Sequence, residues 1–162
     1  MKIIYHCYGG AHSSVTAAAV HLGWLPTDRI PETGELKKIP YFDRPVSKDH
    51  GRIRFMGTDE FGNDIYCIGR RNAFREFENM TRGLMEIYGV PEDHIYLVNV
   101  MPYVNWKMVL GGFTSRRLRI TPVGRAVIIS GVKYSYWYIV SMVNRVKVCT
   151  AGKNRRTAET GG

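Results

Sequence analysis

The sequence predicts an α/β fold: a three-layer sandwich on a mainly parallel sheet, with an inserted β-hairpin. Three apolar runs without strict polar alternation, at residues 3–7, 95–100 and 126–130, are typical of buried strands. Amphipathic helical segments alternate with these runs, which is the pattern of a sheet covered by helices. The 162 residues are enough for a single domain with its own core, and we expect that domain to span residues 1–148.

The first strand, loop and helix are the best marked elements. The first apolar run ends at Cys7, and a helix is predicted to begin at Ser13 or Ser14, one of which is expected to cap it. Apolar residues then recur at helical spacing until Gly23 ends the helix. Residues 24–51 contain four prolines and no helical period, so we expect a long connection there.

The middle of the chain predicts a hairpin, a helix and a second buried strand. The hairpin strands fall near residues 52–58 and 64–69, with Gly62 in the turn between them. Asn72 is the expected N-cap of the helix that follows. The strand at residues 95–100 comes next.

The last third of the chain predicts a helix, a strand, a helix and a tail. Asn105 is the candidate N-cap of the first helix. Residues 126–143 are apolar enough for a hydropathy scan to mark them as a candidate membrane span, but they include Lys133 and begin with a β-branched run. We interpret them as a buried strand that runs into a helix, with a membrane span as the less favoured alternative. Residues 149–162 are expected to be a disordered basic tail.

Charge and cysteine usage limit the classes of partner. The net charge is +9, and residues 107–162 hold eleven Lys and Arg against one acid, Glu159. This asymmetry indicates a phosphorylated ligand or an acidic protein partner, while the aromatic residues near it have the spacing of a core helix and not of a nucleic-acid platform. The three cysteines are far apart and form no CxxC pair, which predicts a cytoplasmic protein without disulfides.

The glycine-rich loop CYGGAHSS is the main candidate site. In an α/β fold it lies at the carboxyl end of the first strand and leads into a helix N-terminus, where unpaired N–H groups and the helix dipole favour an anion. Glycines allow close approach of the backbone, and the serines add hydroxyl donors. Arginines further along would supply charge. The candidate ligand-binding residues are Gly9, Gly10, His12, Ser13, Ser14, Arg116, Arg117 and Arg125.

Two phosphate-binding templates resemble this loop in part. The nucleotide P-loop requires a lysine where His12 stands, which excludes a standard form and leaves a divergent one open. The low-molecular-weight phosphotyrosine phosphatases also open with a strand, a cysteine, five residues and a serine-led helix, which resembles the spacing from Cys7 to Ser14. That resemblance implies a Cys7 nucleophile. His12, in the same loop, is the other catalytic candidate of the sequence. Ser13 occupies the position of that family's phosphate-binding arginine. Asp43 is the nearest candidate for its general acid, but it does not stand in the family's Asp-Pro-aromatic motif.

Metal-binding signals are sparse. Asp59 and Glu60 in the acidic hairpin turn are candidate ligands for a magnesium ion beside a bound nucleotide. Acidic residues are also common in such turns for structural reasons. His6 and Cys7 are adjacent in a strand and point to opposite faces, so they are not expected to share one ion.

Larger segments resemble an uncharacterised family, a domain of unknown function of spore-forming Gram-positive bacteria. The resemblance rests on YHCYGGAHSSVTAAAVHLG, GTDEFGNDIYCIGRRN, NVMPYVNWKMVLGGFTSRRL and GRAVIISGVK, and covers residues 1 to about 148. It implies a cytosolic bacterial protein with a sporulation-linked role and transfers no catalytic residue.

Three functions follow as hypotheses. The first is a protein that binds a phosphorylated small molecule or nucleotide. The second is a non-catalytic adaptor or assembly subunit whose basic third docks on an acidic partner. The third is a cysteine-dependent, phosphatase-like enzyme.

Overall fold

The computed structural model describes residues 1–44, 49–103 and 121–160, the last range with side chains over residues 125–151. Within these ranges the chain forms a mixed four-stranded sheet with helices, which confirms the predicted α/β class. The elements in chain order are β1 Lys2–Cys7, α1 Ser13–His21, α2 Thr33–Lys38, β2 Arg54–Thr58, β3 Asp64–Gly69, α3 Phe74–Ile87, β4 Ile95–Asn99 and α4 Thr121–Thr160.

The sheet is built around β1. The strand order is β2-β3-β1-β4, and β1 pairs in parallel with both β3 and β4. Strand β2 is antiparallel to β3, with a bulge between Phe55 and Gly57, so the predicted hairpin is present and forms one edge. The carboxyl ends of β1, β3 and β4 therefore meet at the same edge of the sheet, which is where ligands bind in α/β folds.

The core lies on one face of the sheet. Ile3, Tyr5 and Cys7 alternate onto this face of β1, beneath α1 and α4. Every residue of α1 is buried, because the helix is enclosed between the sheet and α4. Full burial of one aliphatic side chain contributes roughly 1.5–3 kcal/mol, so this layer supplies most of the stability.

The opposite face of the sheet has a smaller cluster. Ile4 and Ile68 pack there against Phe77 of α3. Only Phe77 and Met85 of α3 are buried, so the cover on this face depends on few side chains. A three-layer sandwich with a mainly parallel sheet therefore remains a prediction.

The strand predicted at residues 126–130 is wrong, because these residues belong to the 40-residue helix α4. A β-branched apolar run suits a strand or a buried helix equally well, and here long-range packing decides. Ile128, Val132 and Tyr136 recur at helical spacing and are fully buried in the main core. The helix backbone continues to Thr160, through most of the segment for which the sequence predicts a disordered tail.

Three helix boundaries also differ from the predictions. His12, and not a serine, occupies the N-cap position of α1, so Ser13 and Ser14 lie inside the first turn. Ala73, and not Asn72, occupies the N-cap position of α3. Helix α2 lies inside the segment expected to be an irregular connection. The helix predicted from Asn105 lies outside the described residues.

A capping box explains why α2 forms in a proline-rich segment. The backbone N–H of Glu32 donates to the Glu35 side chain at 2.6 Å, and the Glu32 side chain accepts in return from the third helical residue. Leu36 is fully buried and anchors the helix to the core. Six residues are too few to show a helical period in the sequence.

One helical segment among the described residues, Arg125–Ala151, is long and apolar enough to cross a membrane. In the fold, 56% of its most apolar window is buried. A buried core helix passes the same test of length and composition.

Candidate functional site

The glycine loop connects β1 to α1 at the carboxyl edge of the sheet, as predicted. Gly10 has φ +63°, and a Cβ built on it would lie 2.4 Å from the backbone nitrogen of Gly69. A Cβ on Gly69 would lie 2.5 Å from the carbonyl carbon of Gly9. The loop and the last residue of β3 thus pack backbone against backbone. This backbone packing alone requires glycine at both positions, whether or not the loop binds a ligand.

Cys7 ends β1 directly below this loop. Its Sγ accepts a hydrogen bond from the Gly10 N–H at 3.1 Å and lies 3.2 Å from Oγ of Ser14 in the first turn of α1. The sulfur is thus in hydrogen-bond contact with an amide and a hydroxyl at a helix N-terminus. The side chain is only 4% exposed, so a reactant would need the loop to open.

A carboxylate stands at the N-terminus of α1. Asp43 accepts hydrogen bonds from Nε2 of His12 at 3.2 Å and from Nε of Arg125 at 2.5 Å. The backbone N–H of Asp43 also donates to the carbonyl of Ala11, which holds the two loops together. Burial works to raise the pKa of Asp43, but the bonds from His12 and Arg125 outweigh it and keep the pKa below its usual value. The group is therefore an anion at neutral pH.

This cluster brings together most of the predicted ligand-binding residues. Gly9, Gly10, His12, Ser13 and Ser14 form one turn, and Arg125 of α4 joins them through Asp43. The other two predicted arginines, Arg116 and Arg117, lie outside the described residues.

A second cationic group at the same sheet edge escaped the sequence analysis. Arg70 follows β3 and donates from Nε to Nδ1 of His6 at 2.9 Å and from Nη2 to Oδ1 of Asn99 at 3.3 Å. Its guanidinium lies over the Phe74 ring, with Cζ 4.7 Å from the ring centroid. Burial, together with the Arg70 charge, lowers the pKa of His6 to about 4. The sequence signal that could have identified Arg70 is its position directly after a buried strand, where ligand-binding residues of α/β folds lie.

His6 and Cys7 lie on opposite faces of β1, as predicted. The His6 ring packs between Phe74 and Phe77, whereas Cys7 belongs to the main core cluster. Among the described residues, no group of three or more His, Cys, Asp or Glu side chains is placed to hold a metal ion.

The acidic hairpin turn forms a buried hydrogen-bond network. Asp59 accepts from the backbone N–H groups of Phe61 and Asn63 on one oxygen, and from the Asn63 side chain and Nε2 of His21 on the other. The Tyr5 hydroxyl donates to Nδ1 of His21 at 2.7 Å. Burial lowers the pKa of His21 and raises that of Tyr5. Since both Asp59 oxygens are occupied, the carboxylate stabilises the turn.

Glu60, the second candidate magnesium ligand, is engaged elsewhere. Its carboxylate accepts from Lys147 of α4 at 2.9 Å. The hydrogen bonds of Asp59 and Glu60 thus tie the hairpin to α1 and α4, and the magnesium site remains a prediction that these contacts do not favour.

The fold and the loop define an α/β protein with a candidate oxyanion site at the carboxyl edge of its sheet. The chain belongs to the family described as protein of unknown function (DUF3189), whose model matches residues 2–148. The predicted membership of an uncharacterised domain family is thereby confirmed. No curated protein and no solved structure matches the chain.

Proposed function

We propose that this chain binds a phosphorylated small molecule or nucleotide at the glycine loop, as a cytosolic protein. The observation that carries the proposal is the Asp43 carboxylate, held by His12 and Arg125 at the N-terminus of α1. The donors of this cluster already bind one oxyanion that belongs to the chain itself. A phosphate group offers the same donors more charge and more acceptor oxygens.

Asp43 acts in this proposal as an internal competitor of the ligand. It lies on a short turn in which both Tyr41 and Asp43 have positive φ values, 65° and 55°, which non-glycine residues rarely adopt. Movement of this turn would relieve that backbone strain and release His12 and Arg125 together. The ligand phosphate would then exchange with the carboxylate, so no unpaired buried charge is created.

The test is the substitution Asp43→Asn, which removes the competing charge and keeps the size of the side chain. We expect it to tighten binding of inorganic phosphate, AMP or ATP by roughly tenfold in isothermal titration calorimetry, the equivalent of one charge-assisted hydrogen bond. Arg125→Gln in the Asp43→Asn background should reverse the gain. Asp64→Asn is the matched control, because Asp64 pairs with Lys2 at the start of β3, away from the loop.

Two outcomes contradict the proposal. One is that neither the wild type nor Asp43→Asn binds any of the three anions, which favours the adaptor hypothesis, with the loop closed permanently by its own carboxylate. The other is that Arg125→Gln leaves the affinity unchanged. Gly10→Val is not a usable test, because its side chain would collide with the backbone of Gly69 whether or not a ligand binds there.

A phosphatase-like activity is the second candidate, and the contacts of Cys7 favour it. The Cys7 thiolate would attack phosphorus, the ester P–O bond would break, and water would hydrolyse the resulting phosphocysteine. Two groups that such chemistry uses differ here. Ser13 stands where the phosphatases have arginine, and the lowered pKa of Asp43 leaves that carboxyl without a proton to donate to the leaving group.

A further inference from the structure

A pocket of about 450 Å³ opens beside the glycine loop, on the side of β2. We name it the arginine pocket, and it is lined by Tyr41, Arg44, Asp49, Arg52, Ile53, Arg54 and Phe55. The backbone N–H of Gly51 donates to the carbonyl of Gly69 at 2.8 Å, which fixes this segment to the carboxyl edge of the sheet. Tyr41 belongs both to this lining and to the turn that carries Asp43, but none of the charged side chains of the loop site lines the pocket.

Arg54 is the unusual residue of the arginine pocket. It is the first residue of β2, pairs with Cys67 and is only 7% exposed. Nη2 donates to Asp49 at 3.0 Å, and the guanidinium lies 5.3 Å from the ring centroid of Tyr41. Nη1 is buried and has no hydrogen-bond partner within the described part of the chain. A buried charged donor without a partner costs free energy, so the guanidinium of Arg54 retains an unmet donor next to the pocket.

The charge of the arginine pocket fits a dianion. Three arginines face one carboxylate, that of Asp49, so the formal charge of the lining is +2. Guanidinium groups bind phosphate oxygens in pairs of parallel hydrogen bonds, and a phosphate monoester carries nearly two negative charges at neutral pH. The charge of the lining therefore matches a monoester better than a singly charged diester.

The rim of the pocket indicates what the phosphate is attached to. Tyr41, Ile53 and Phe55 line it and are 38%, 49% and 52% exposed. Exposed aromatic and aliphatic side chains around a charged centre are the usual environment of a ligand with a flat, partly apolar body. The volume suits a molecule of the size of a mononucleotide.

We propose that the arginine pocket binds a phosphate monoester of mononucleotide size. Arg44 and Arg52 donate to the phosphate and balance its two charges, the Arg54 guanidinium adds its charge from the pocket wall, and Tyr41 and Phe55 contact the ring. This site uses other charged side chains than the loop site, and it does not require that the loop bind anything.

The experiment is a titration of ¹⁵N-labelled protein with AMP and with inorganic phosphate, followed by NMR. Backbone amides of residues 49–55 report on the arginine pocket, and amides of residues 9–16 report on the loop. We expect AMP to shift residues 49–55 and to bind more tightly there than inorganic phosphate does. Arg52→Gln and Arg44→Gln, both at exposed positions, should each weaken AMP binding about tenfold. Arg75→Gln, an exposed arginine of α3 outside the pocket, is the matched control.

The outcomes separate the two sites. Shifts at residues 49–55 that persist in Arg125→Gln and are lost in Arg52→Gln support the arginine pocket, whatever happens at the loop. Shifts confined to residues 9–16 overturn this inference and leave the proposed function standing. Equal affinity for AMP and inorganic phosphate contradicts the role of the aromatic rim, and unchanged AMP affinity in both arginine variants contradicts the charge assignment.

Discussion

The close contact between Gly10 and Gly69 makes a quantitative prediction about stability. Gly10→Ala combines two costs, a positive φ of +63° and a Cβ only 2.4 Å from a backbone nitrogen. An L-residue in the left-handed region costs roughly 1–2 kcal/mol, and overpacking a well-packed site costs roughly 1–3 kcal/mol. We therefore expect Gly10→Ala to lower the free energy of unfolding by about 3 kcal/mol.

Two other glycines separate these costs. Gly23 has φ +70° and open space around its would-be Cβ, so Gly23→Ala should lose only the conformational part, about 1 kcal/mol. Gly69 lacks the positive φ, but a Cβ built on it would lie 2.5 Å from the carbonyl carbon of Gly9. Gly69→Ala should therefore lose only the steric part of the stability, about 2 kcal/mol. Gly10→Ala combined with Gly69→Ala should cost less than the sum, because one displacement of the loop relieves both collisions.

Urea unfolding followed by circular dichroism measures all four variants on one scale. The reasoning fails if Gly10→Ala and Gly23→Ala lose the same stability within about 0.5 kcal/mol, the usual scatter of independent sites. It also fails if Gly10→Ala and Gly69→Ala are additive. Either result would mean that the loop does not rest on β3.

Two further predictions concern protonation and chemistry. His6 has a folded pKa of about 4 against a usual 6.5, so the unfolded chain binds the extra proton first as the pH falls. Stability should therefore be fully present above pH 6.5 and fall by roughly 3 kcal/mol towards pH 4, in urea titrations at several pH values. His6→Asn, which keeps an acceptor for Arg70 but cannot titrate there, should remove this part of the slope, and an unchanged slope would contradict it. If the chain hydrolyses p-nitrophenyl phosphate, Cys7→Ser should abolish that activity, and full hydrolysis by the variant would eliminate the phosphatase candidate.

Local signals in the sequence predict four of the early elements well, although they miss α2. The strand before Cys7, the loop, α1 and the hairpin each have their own apolar run, glycine stop or turn residues within a few positions. Residues 126–130 lack such a signal, because a β-branched run is compatible with both a strand and a buried helix. Only the contacts of Ile128 and Val132 with the distant core decide between them.

The candidate site was predictable only on its local side. The sequence places Gly10 and His12 in a turn before a helix, but their partners Gly69 and Asp43 come from segments 59 and 31 residues away. Arg54 is hidden from pattern reading for a related reason. A single arginine in a short strand indicates a solvent-facing position, whereas this side chain is buried beside Tyr41. Contacts between residues far apart in the chain leave no periodic pattern in the sequence, so pattern analysis cannot predict them.

The packing against Gly69 changes what the two loop glycines mean. Glycines before a helix N-terminus suggest an anion cradle, yet here their absence of side chains is already required by the strand beneath them. The case for an oxyanion at the loop thus rests on the side-chain donors of His12 and Arg125. The Gly10 N–H donates to Cys7 Sγ, and one N–H group serves one strong acceptor at a time. A phosphate that takes this donor removes it from Cys7 Sγ, so anion binding through the loop backbone and the hydrogen bond to Cys7 compete for the same N–H group.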